Sequence, residues 1–347
     1  MLTTKSNSYT FQKSGVWYFS RRVPADLRRH YRTGRIAYSL RTKLLRDARV
    51  RAMSDAAKLD RHWHILRISS DELPGKHLLN GAVQESEADY IFHLAAQSYP
   101  KTSFNAPIET LQTNIIGTAN LLESIREHGE EEVVVHVCAS SEIFGKVPKE
   151  KLPIDEECSL HPASPYAISK VGTDLLGRYY AEAYGINIIT TRMFTHTGPR
   201  RGDVFSESTF AKQIAMIEAG LQEPIIYVGN LESLRTYADV RDAVEAYYLL
   251  VTNNPIGGEY YNIGGEYTCK IGDMLNYLIS LSTRDDITIE IDEDRLRPID
   301  ADLQVPNTEK FRNHTGWKPK YTFKETMNDL LNYWRDEVKS GRKFLNR

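Results

Sequence analysis

The sequence predicts an α/β fold built on a parallel sheet, with a small basic α+β module before it. Two observations carry this prediction. Beyond about residue 89, buried-type strands alternate with helical segments, which is the pattern of a parallel sheet covered by helices on both faces. Before that point, the chain carries an excess of positive charge that the rest lacks. With 347 residues, the chain is long enough for two domains.

The net charge of −2 conceals this division. Residues 1–67 contain four lysines and twelve arginines against four aspartates, a net charge of +12, and the remaining 280 residues carry −14. Such asymmetry indicates separate modules with separate partners. For the basic module the expected partner is DNA, and a solvated surface without a partner is the alternative.

Composition excludes several classes of protein. Cys138, Cys158 and Cys269 are far apart and form no C-x-x-C pair, so we expect neither a disulfide framework nor a metal site. No apolar run has the length of a membrane span, and the N-terminus has no signal-peptide pattern. We therefore expect a cytoplasmic protein.

For the basic module, residues 1–67, the sequence predicts three short strands and one helix. β-prone runs at 9–11 and 16–19 flank a turn at 13–15, and 35–40 supplies a third strand. From residue 44 apolar residues recur at three- and four-residue steps, the stripe of an amphipathic helix. That stripe consists of Leu45, Ala48, Ala52, Ala56, Leu59 and Trp63.

Residues 68–88 read as a transition with a short helix, and the α/β region follows. Its buried-type strands and helices alternate along the chain, as a parallel sheet requires. The predicted elements are a strand at 90–96, a helix at 114–125, a strand at 133–137, a helix at 170–183 and a strand at 186–191.

The most informative side chains follow the second of these strands. Ser140 lies at its carboxyl end, where open parallel sheets bind ligands. Tyr166 and Lys170 are four apart and share a helix face, so the lysine charge should lower the tyrosine pKa toward working pH. The phenolate would then be a general base for a substrate hydroxyl. With twenty tyrosines in the chain, the Tyr–Lys spacing alone is weak evidence, but its combination with Ser140 is specific.

Several segments here resemble one family. They are ADYIFHLAAQSYPKTSF, SSEIFGKV, SPYAISK, RMFTHTGPRR, GNLESLRTYADVRDAVEAY and RLRPIDADLQVPNTEKFRNHTGWKP. Together they resemble the extended short-chain dehydrogenase/reductases, and within them the GDP-mannose and GDP-heptose 4,6-dehydratases, from about 87 to 337. The resemblance implies a partial Rossmann-like domain at 89–347, with a substrate subdomain mainly at 195–235 and 265–340. Thr195 replaces the family's usual Asn, which favours the heptose branch or another variant sugar.

The resemblance also implies a mechanism. Tyr166 would deprotonate the sugar C4 hydroxyl, with Ser140 on the same oxygen and Lys170 tuning the phenol. Glu142 would remove the C5 proton and assist loss of water from C6. The hydride removed from C4 would return to C6, so that no net redox change occurs.

Ligand contacts follow from the same resemblance. The cofactor would be NADP, with NAD as the alternative, held by Ala95, Ala96, Tyr166, Lys170 and Arg192. The GDP-sugar would be held by Ser141, Thr195, Asn230, Arg235, Arg297 and Asp300, with the arginines on the diphosphate.

The segment from Gly15 to Ala52 resembles the small N-terminal domain of phage integrases, the tyrosine recombinases. Nothing after residue 70 resembles the Arg/His/Arg/Tyr constellation of their catalytic domain. The resemblance therefore implies DNA association without recombinase chemistry.

One departure from the dehydratase pattern matters most. A dinucleotide fold opens with a strand, a glycine-rich turn and a helix, yet the glycines before Ala88 are Gly15, Gly34, Gly75 and Gly81, without that spacing. This predicts a truncated dehydratase fused to an integrase-type arm, with weakened cofactor affinity. It also predicts an unpaired sheet edge that favours homo-oligomers. Two function classes stay open: a GDP-sugar 4,6-dehydratase, and a non-catalytic protein whose arm binds DNA.

Overall fold

The computed structural model describes residues 9–31, 33–68, 76–86, 88–128, 132–296, 299 and 301–341. The chain divides into two compact units, Met1–Ala82 and Val83–Arg347, and the division lies within the predicted transition. In the described ranges no helix is long and apolar enough to cross a membrane, and no cluster of three metal-ligating side chains occurs.

The first unit contains the predicted three-stranded sheet and helix. Strand β2 is central and pairs antiparallel with both neighbours. The β1–β2 turn has positive φ at Ser14 and Gly15, the conformation that two-residue hairpin loops favour. Its elements are β1 (Thr10–Lys13), β2 (Val16–Arg22), a 3₁₀ helix (Ala25–His30), β3 (Arg35–Ser39) and α1 (Leu45–Ile68).

One face of this sheet packs on α1. Phe19 and Leu40 are buried against Ala48, Ala52 and Ala56, which confirms these members of the predicted apolar stripe. Small alanines on α1 allow the helix to lie close to the sheet. Leu45 is the exception, because 41% of it is exposed at the first turn of the helix.

The second unit contains the α/β region. Its strands are β4 (Tyr90–His93), β5 (Val134–Cys138), β6 (Asn187–Met193), β7 (His196–Thr197), β8 (Ile225–Val228), β9 (Leu234–Asp239), β10 (Tyr260–Ile263), β11 (Tyr267–Lys270), β12 (Thr288–Ile291) and β13 (Leu303–Gln304). Its helices are α2 (Lys76–Ser86, spanning the division), α3 (Pro100–Asn105), α4 (Pro107–Leu111), α5 (Gly117–His128), α6 (Pro165–Tyr184), α7 (Ser206–Glu218), α8 (Val240–Thr252), α9 (Ile271–Ser280), α10 (Glu309–Thr315) and α11 (Phe323–Lys339). A π-helical turn (Gln112–Ile116) and 3₁₀ helices (Ser141–Phe144, Lys149–Lys151, Glu293–Arg295) complete it.

The α/β prediction with a parallel Rossmann-like sheet is confirmed. Four parallel strands lie in the order β10-β6-β5-β4. Among the described residues, no strand pairs with the outer edge of β4, and Tyr90 and Phe92 on that strand are 44% and 40% exposed. Val134–Val137 of strand β5 are buried and Cys138 is half-buried, as the apolar residues around His136 predict.

A second set of strands, absent from the sequence prediction, lies beyond this sheet. β9 pairs with β7, β11 and β13, and β8 pairs with β12. A separate apolar core under α7, α9 and α11 supports them. These strands have only two to six residues, too few for an alternating pattern to be recognised.

Candidate active site

A cavity of about 1460 Å³ opens at the carboxyl ends of β5 and β6. Its walls come from the loop after β4, from the segment after β5, from α6 and from α7. Ser140, Ser141, Glu142, Tyr166 and Lys170 all line it. The structure therefore brings together the side chains that the sequence analysis assigned to catalysis.

The segment after β5 presents Glu142 to the cavity through a single 3₁₀ turn. Ser140 caps this turn, because its Oγ accepts a hydrogen bond from the backbone N–H of Glu142 at 3.2 Å. The turn ends at Gly145, where φ is +57° and a Cβ would lie 1.6 Å from the carbonyl oxygen of His161. Only glycine fits this close approach, so Gly145 fixes where the Ser140–Glu142 segment turns.

Tyr166 and Lys170 lie in the first turns of α6. Ser164 begins the helix by accepting the backbone N–H of Ala167 at 3.0 Å. Lys170 is buried, and its Nζ donates to the carbonyl oxygen of Cys138 at 2.8 Å. The lysine thus ties α6 to the end of β5.

The pKa of Tyr166 differs from the sequence expectation. Burial raises it well above the usual value, while the hydrogen bond with Ser140 and the charge of Arg201 act in the opposite direction. Burial also lowers the pKa of Lys170, and its Nζ donates to the Cys138 carbonyl and not to the phenol. In the free protein, Tyr166 is therefore protonated at neutral pH, ready to donate a proton.

A buried asparagine that the sequence analysis missed connects two walls of the cavity. Asn114, displayed by the π-helical turn, accepts the backbone N–H of Gln97 at 2.8 Å. Its Nδ2 donates to the Gln97 carbonyl at 3.0 Å and to Ser169 Oγ at 2.8 Å. These bonds hold the loop after β4 against α6. A π-helical turn is often found at functional sites, but nothing in the local sequence marks one.

The two predicted cofactor residues in that loop have different environments. Ala96 lines the cavity, and Ala95 is exposed and does not. The loop therefore places only one of these two alanines in the cavity wall.

Arg192 was predicted to contact the cofactor, but its side chain is buried and binds other residues of the protein. Its guanidinium is 2% exposed, is absent from the described cavity walls and binds both carboxylate oxygens of Asp174 at 2.9 Å. It also donates to the Glu156 carbonyl at 2.6 Å. Arg192 points from β6 toward α6, because a buried guanidinium requires a carboxylate partner, and its contact with a cofactor stays a prediction.

The predicted substrate residues largely line the cavity. Ser141, Thr195, Asn230 and Arg235 do so. Asn230 donates to Ser233 Oγ at 3.0 Å, and Arg235 donates to its neighbour's carbonyl at 3.1 Å, which orients both side chains. Arg297 and Asp300 lie outside the described residues.

Arg201 is a further cation in the cavity wall, and the sequence analysis gave it no role. Its guanidinium carbon lies 3.5 Å from the centre of the Phe205 ring, and no described residue accepts a hydrogen bond from its Nε. Burial lowers its pKa, and its charge acts on Tyr166. The pair Arg200-Arg201 after a strand is the signal that could have identified it.

Three histidines close to the site are held neutral. Burial, with the charge of Lys170, lowers the pKa of His93 to about 4 and that of His136 to about 3. Burial and Arg201 lower the pKa of His196 to about 4. His136 is fully buried, and its Nε2 lies 2.8 Å from Thr191 Oγ1.

We expect these histidines to destabilise the protein in mild acid. Below about pH 6.5 the unfolded chain binds protons that the folded chain does not, so the free energy of unfolding falls by about 1.4 kcal/mol per pH unit for each histidine. The loss should continue down to pH 4–3. Urea unfolding between pH 7 and 5 measures it. His136→Gln should reduce the slope by one proton, and an unchanged slope would contradict the prediction.

The side chains at one end of the cavity fit part of a nicotinamide dinucleotide. The Tyr166 phenol and the Lys170 ammonium are donors suited to ribose hydroxyls, and Ala96 leaves room for a flat ring. The pyrophosphate has no matching turn in the described chain before β4, where Gly15, Gly34 and Gly81 lie in the hairpin turn, before β3 and within α2. The residues therefore fit the nicotinamide end of the group and not its pyrophosphate.

Comparison with known proteins agrees with this arrangement. The family described as GDP-mannose 4,6 dehydratase matches residues 34–330. GDP-6-deoxy-D-mannose reductase of Pseudomonas aeruginosa is 32% identical over 72% of this chain and 82% of its own. GDP-mannose 4,6 dehydratase 1 of Arabidopsis thaliana is 30% identical over 70% and 67%. The structure of RMD from Pseudomonas aeruginosa, complexed with NADPH, superposes with a TM-score of 0.68 at 30% identity, covering 75% of this chain and 87% of that one. The chain belongs to the GDP-mannose 4,6-dehydratase family.

Proposed function

We propose that the chain is an NADP-dependent GDP-sugar 4,6-dehydratase that acts on GDP-mannose or GDP-heptose. The observation that carries this proposal is that Glu142 and Tyr166 line the same cavity from two walls, close enough for the Glu142 charge to act on the phenol. A dehydratase needs two proton-transfer groups on one sugar, and these two side chains supply them.

The roles of the side chains follow from their positions. Tyr166 would lose its own proton to solvent once the ligands are bound and would then take the proton of the C4 hydroxyl as C4 is oxidised. Ser140 hydrogen-bonds the same oxygen. Once C4 is a ketone, the C5 proton is acidic, and Glu142 removes it and passes it to the departing C6 hydroxyl as water leaves. When C6 then receives hydride, Glu142, protonated again from solvent, would return a proton to C5. Arg235 and Arg201 supply positive charge for the diphosphate. Thr195 faces the sugar from the end of β6.

NADP, when bound, supplies the hydride acceptor and donor that these side chains lack. Tyr166, Lys170 and Ala96 would hold its nicotinamide end. Ala95 and Arg192 have no part in this proposal, because neither lines the described cavity and Arg192 is bound to Asp174.

Reduction of a GDP-4-keto-6-deoxy sugar is the second candidate, because the relative of 32% identity is a reductase. Ser140, Tyr166 and Lys170 would serve this reaction equally, and Glu142 would have no role in it. The test supplies GDP-mannose and NADP⁺ in one reaction, and a GDP-4-keto-6-deoxy sugar with NADPH in another. Formation of a 4-keto-6-deoxy product in the first reaction supports the dehydratase, and turnover in the second alone overturns it in favour of the reductase.

We expect weak binding of NADPH. Among the described residues before β4 no glycine turn meets a helix N-terminus, so we expect the pyrophosphate to lose two or more charge-assisted hydrogen bonds, which costs at least about 3 kcal/mol, or roughly 100-fold in affinity. Titration calorimetry should give a dissociation constant well above the micromolar range. Reduced nicotinamide mononucleotide, which lacks the adenosine half, should bind within about tenfold of NADPH. Micromolar NADPH binding by the monomer would contradict the prediction.

Self-association remains part of the proposal. The exposed edge of β4 can pair with another strand, so a second copy that covers this edge would strengthen both the fold and the cofactor site.

A further inference from the structure

One buried carboxylate in the cavity wall has no part in the proposed proton transfers. Glu207 lies in the first turn of α7 and lines the cavity, and 4% of it is exposed. A buried charge is costly unless hydrogen-bond donors or an ion pair surround it. The surroundings of this carboxylate therefore show whether the protein supplies the donors or a ligand must.

The protein supplies few donors to Glu207. Ser206 Oγ donates to its Oε2 at 3.3 Å, and Oε1 receives no hydrogen bond from any residue that the structure describes. Within the same residues, no lysine, arginine or histidine forms an ion pair with this carboxylate. Oε1 is not sealed inside the protein, because it is accessible from the cavity. It can therefore accept hydrogen bonds from a bound molecule.

Glu207 lies at the catalytic end of the cavity. Ser208, the next residue of α7, donates from its Oγ to the Arg201 carbonyl at 2.8 Å, and the Arg201 guanidinium carbon lies 3.5 Å from the centre of the Phe205 ring. These contacts hold Arg201 against the start of α7. Arg201 is also close enough to Tyr166 and to Glu207 for their charges to interact. We therefore expect a sugar with its C4 oxygen on Tyr166 to come within reach of the Glu207 carboxylate.

The chemistry of a carboxylate narrows the ligand groups that it can bind. An ionised carboxylate only accepts hydrogen bonds, and the diphosphate of a nucleotide sugar is an anion without donors at neutral pH. The donors of a GDP-sugar are therefore the sugar hydroxyls and the N–H groups of guanine. Guanine lies beyond the diphosphate, so the sugar hydroxyls are the donors at the catalytic end. The C4 and C6 hydroxyls take part in the reaction, which leaves those on C2 and C3.

We propose that Glu207 is a specificity-determining residue that accepts hydrogen bonds from the C2 and C3 hydroxyls of the GDP-sugar. These hydroxyls are on neighbouring carbons, so one carboxylate can accept from both. A sugar that lacks either hydroxyl leaves the buried charge with one donor fewer, and the site discriminates against it for that reason. The inference rests on the proposed function for the identity of the nucleotide sugar, and not on its turnover.

Titration calorimetry of the full chain with GDP-mannose and with GDP, in the absence of NADP, tests this role without any reaction. The ratio of the two dissociation constants isolates the contribution of the sugar. Glu207→Gln keeps one acceptor but loses the charge, so affinity for GDP-mannose should fall by about tenfold relative to that for GDP. Glu223→Gln is the matched control, because Glu223 is exposed and absent from the described cavity walls. The control should leave the ratio unchanged.

An equal loss of affinity for GDP and GDP-mannose in Glu207→Gln would overturn the proposal, because the carboxylate would then serve guanine or the fold alone. An unchanged ratio would overturn it as well. If this variant does not fold, the unaltered protein decides: it should bind GDP-2-deoxymannose about tenfold more weakly than GDP-mannose, and equal affinities would overturn the proposal. Binding of GDP-mannose without dehydration would contradict the proposed function alone, since binding measures the role of Glu207.

Discussion

Tyr166→Phe should lower kcat for GDP-sugar turnover by about 10³-fold while KM changes little, because it removes the only proton carrier that we place on the C4 oxygen. The phenol is buried, so the substitution removes one oxygen without opening a cavity. The expected result holds for the dehydratase and the reductase alike, because both reactions move a proton at C4.

The measurement is steady-state turnover of each substrate pair by the full chain. Tyr179→Phe is the matched control, since Tyr179 lies on the same helix and is 55% exposed to solvent. The control should retain full activity. A Tyr166→Phe variant with more than a tenth of the normal kcat would remove Tyr166 from the proposed mechanism.

Glu142→Gln should abolish elimination and leave C4 chemistry intact. The amide is nearly isosteric with the carboxylate but cannot accept the C5 proton, so dehydration should fall by about 10³-fold. In D₂O, the normal protein should incorporate deuterium at C5, and the variant should not. Glu142→Asp, which keeps a carboxylate at a greater distance, should recover part of the activity.

Glu142→Gln also separates the two candidate functions. Reduction of a GDP-4-keto-6-deoxy sugar needs no base at C5, so a reductase should tolerate this substitution. Loss of dehydration with retained reduction of the keto sugar would support the assigned role of Glu142. Unchanged dehydration would show that another group takes the C5 proton.

The sequence was informative where a pattern extended over many residues. The apolar run of β5 and the four-residue step from Tyr166 to Lys170 both predicted correct placement, because strand and helix periods are local properties. Strands of two to four residues such as β7 and β13 were missed, because their pairing depends on distant segments and not on their own composition.

The sequence could not show in which direction the polar side chains near the cavity point. Arg192 lies near the end of β6, which Thr195 follows, yet it points into the protein because Asp174 offers a buried carboxylate. The pKa of Tyr166 was expected to fall because of Lys170, but spacing could not show that the ammonium binds the Cys138 carbonyl instead. Such preferences among partners appear only once the chain is folded.

The hydrogen bonds of Asn114 have a consequence for protein engineering. They link the loop after β4 to α6 through Gln97, Asn114 and Ser169, and none of these three residues precedes β4. We therefore expect this link to persist when the part of the chain before β4 is exchanged for another.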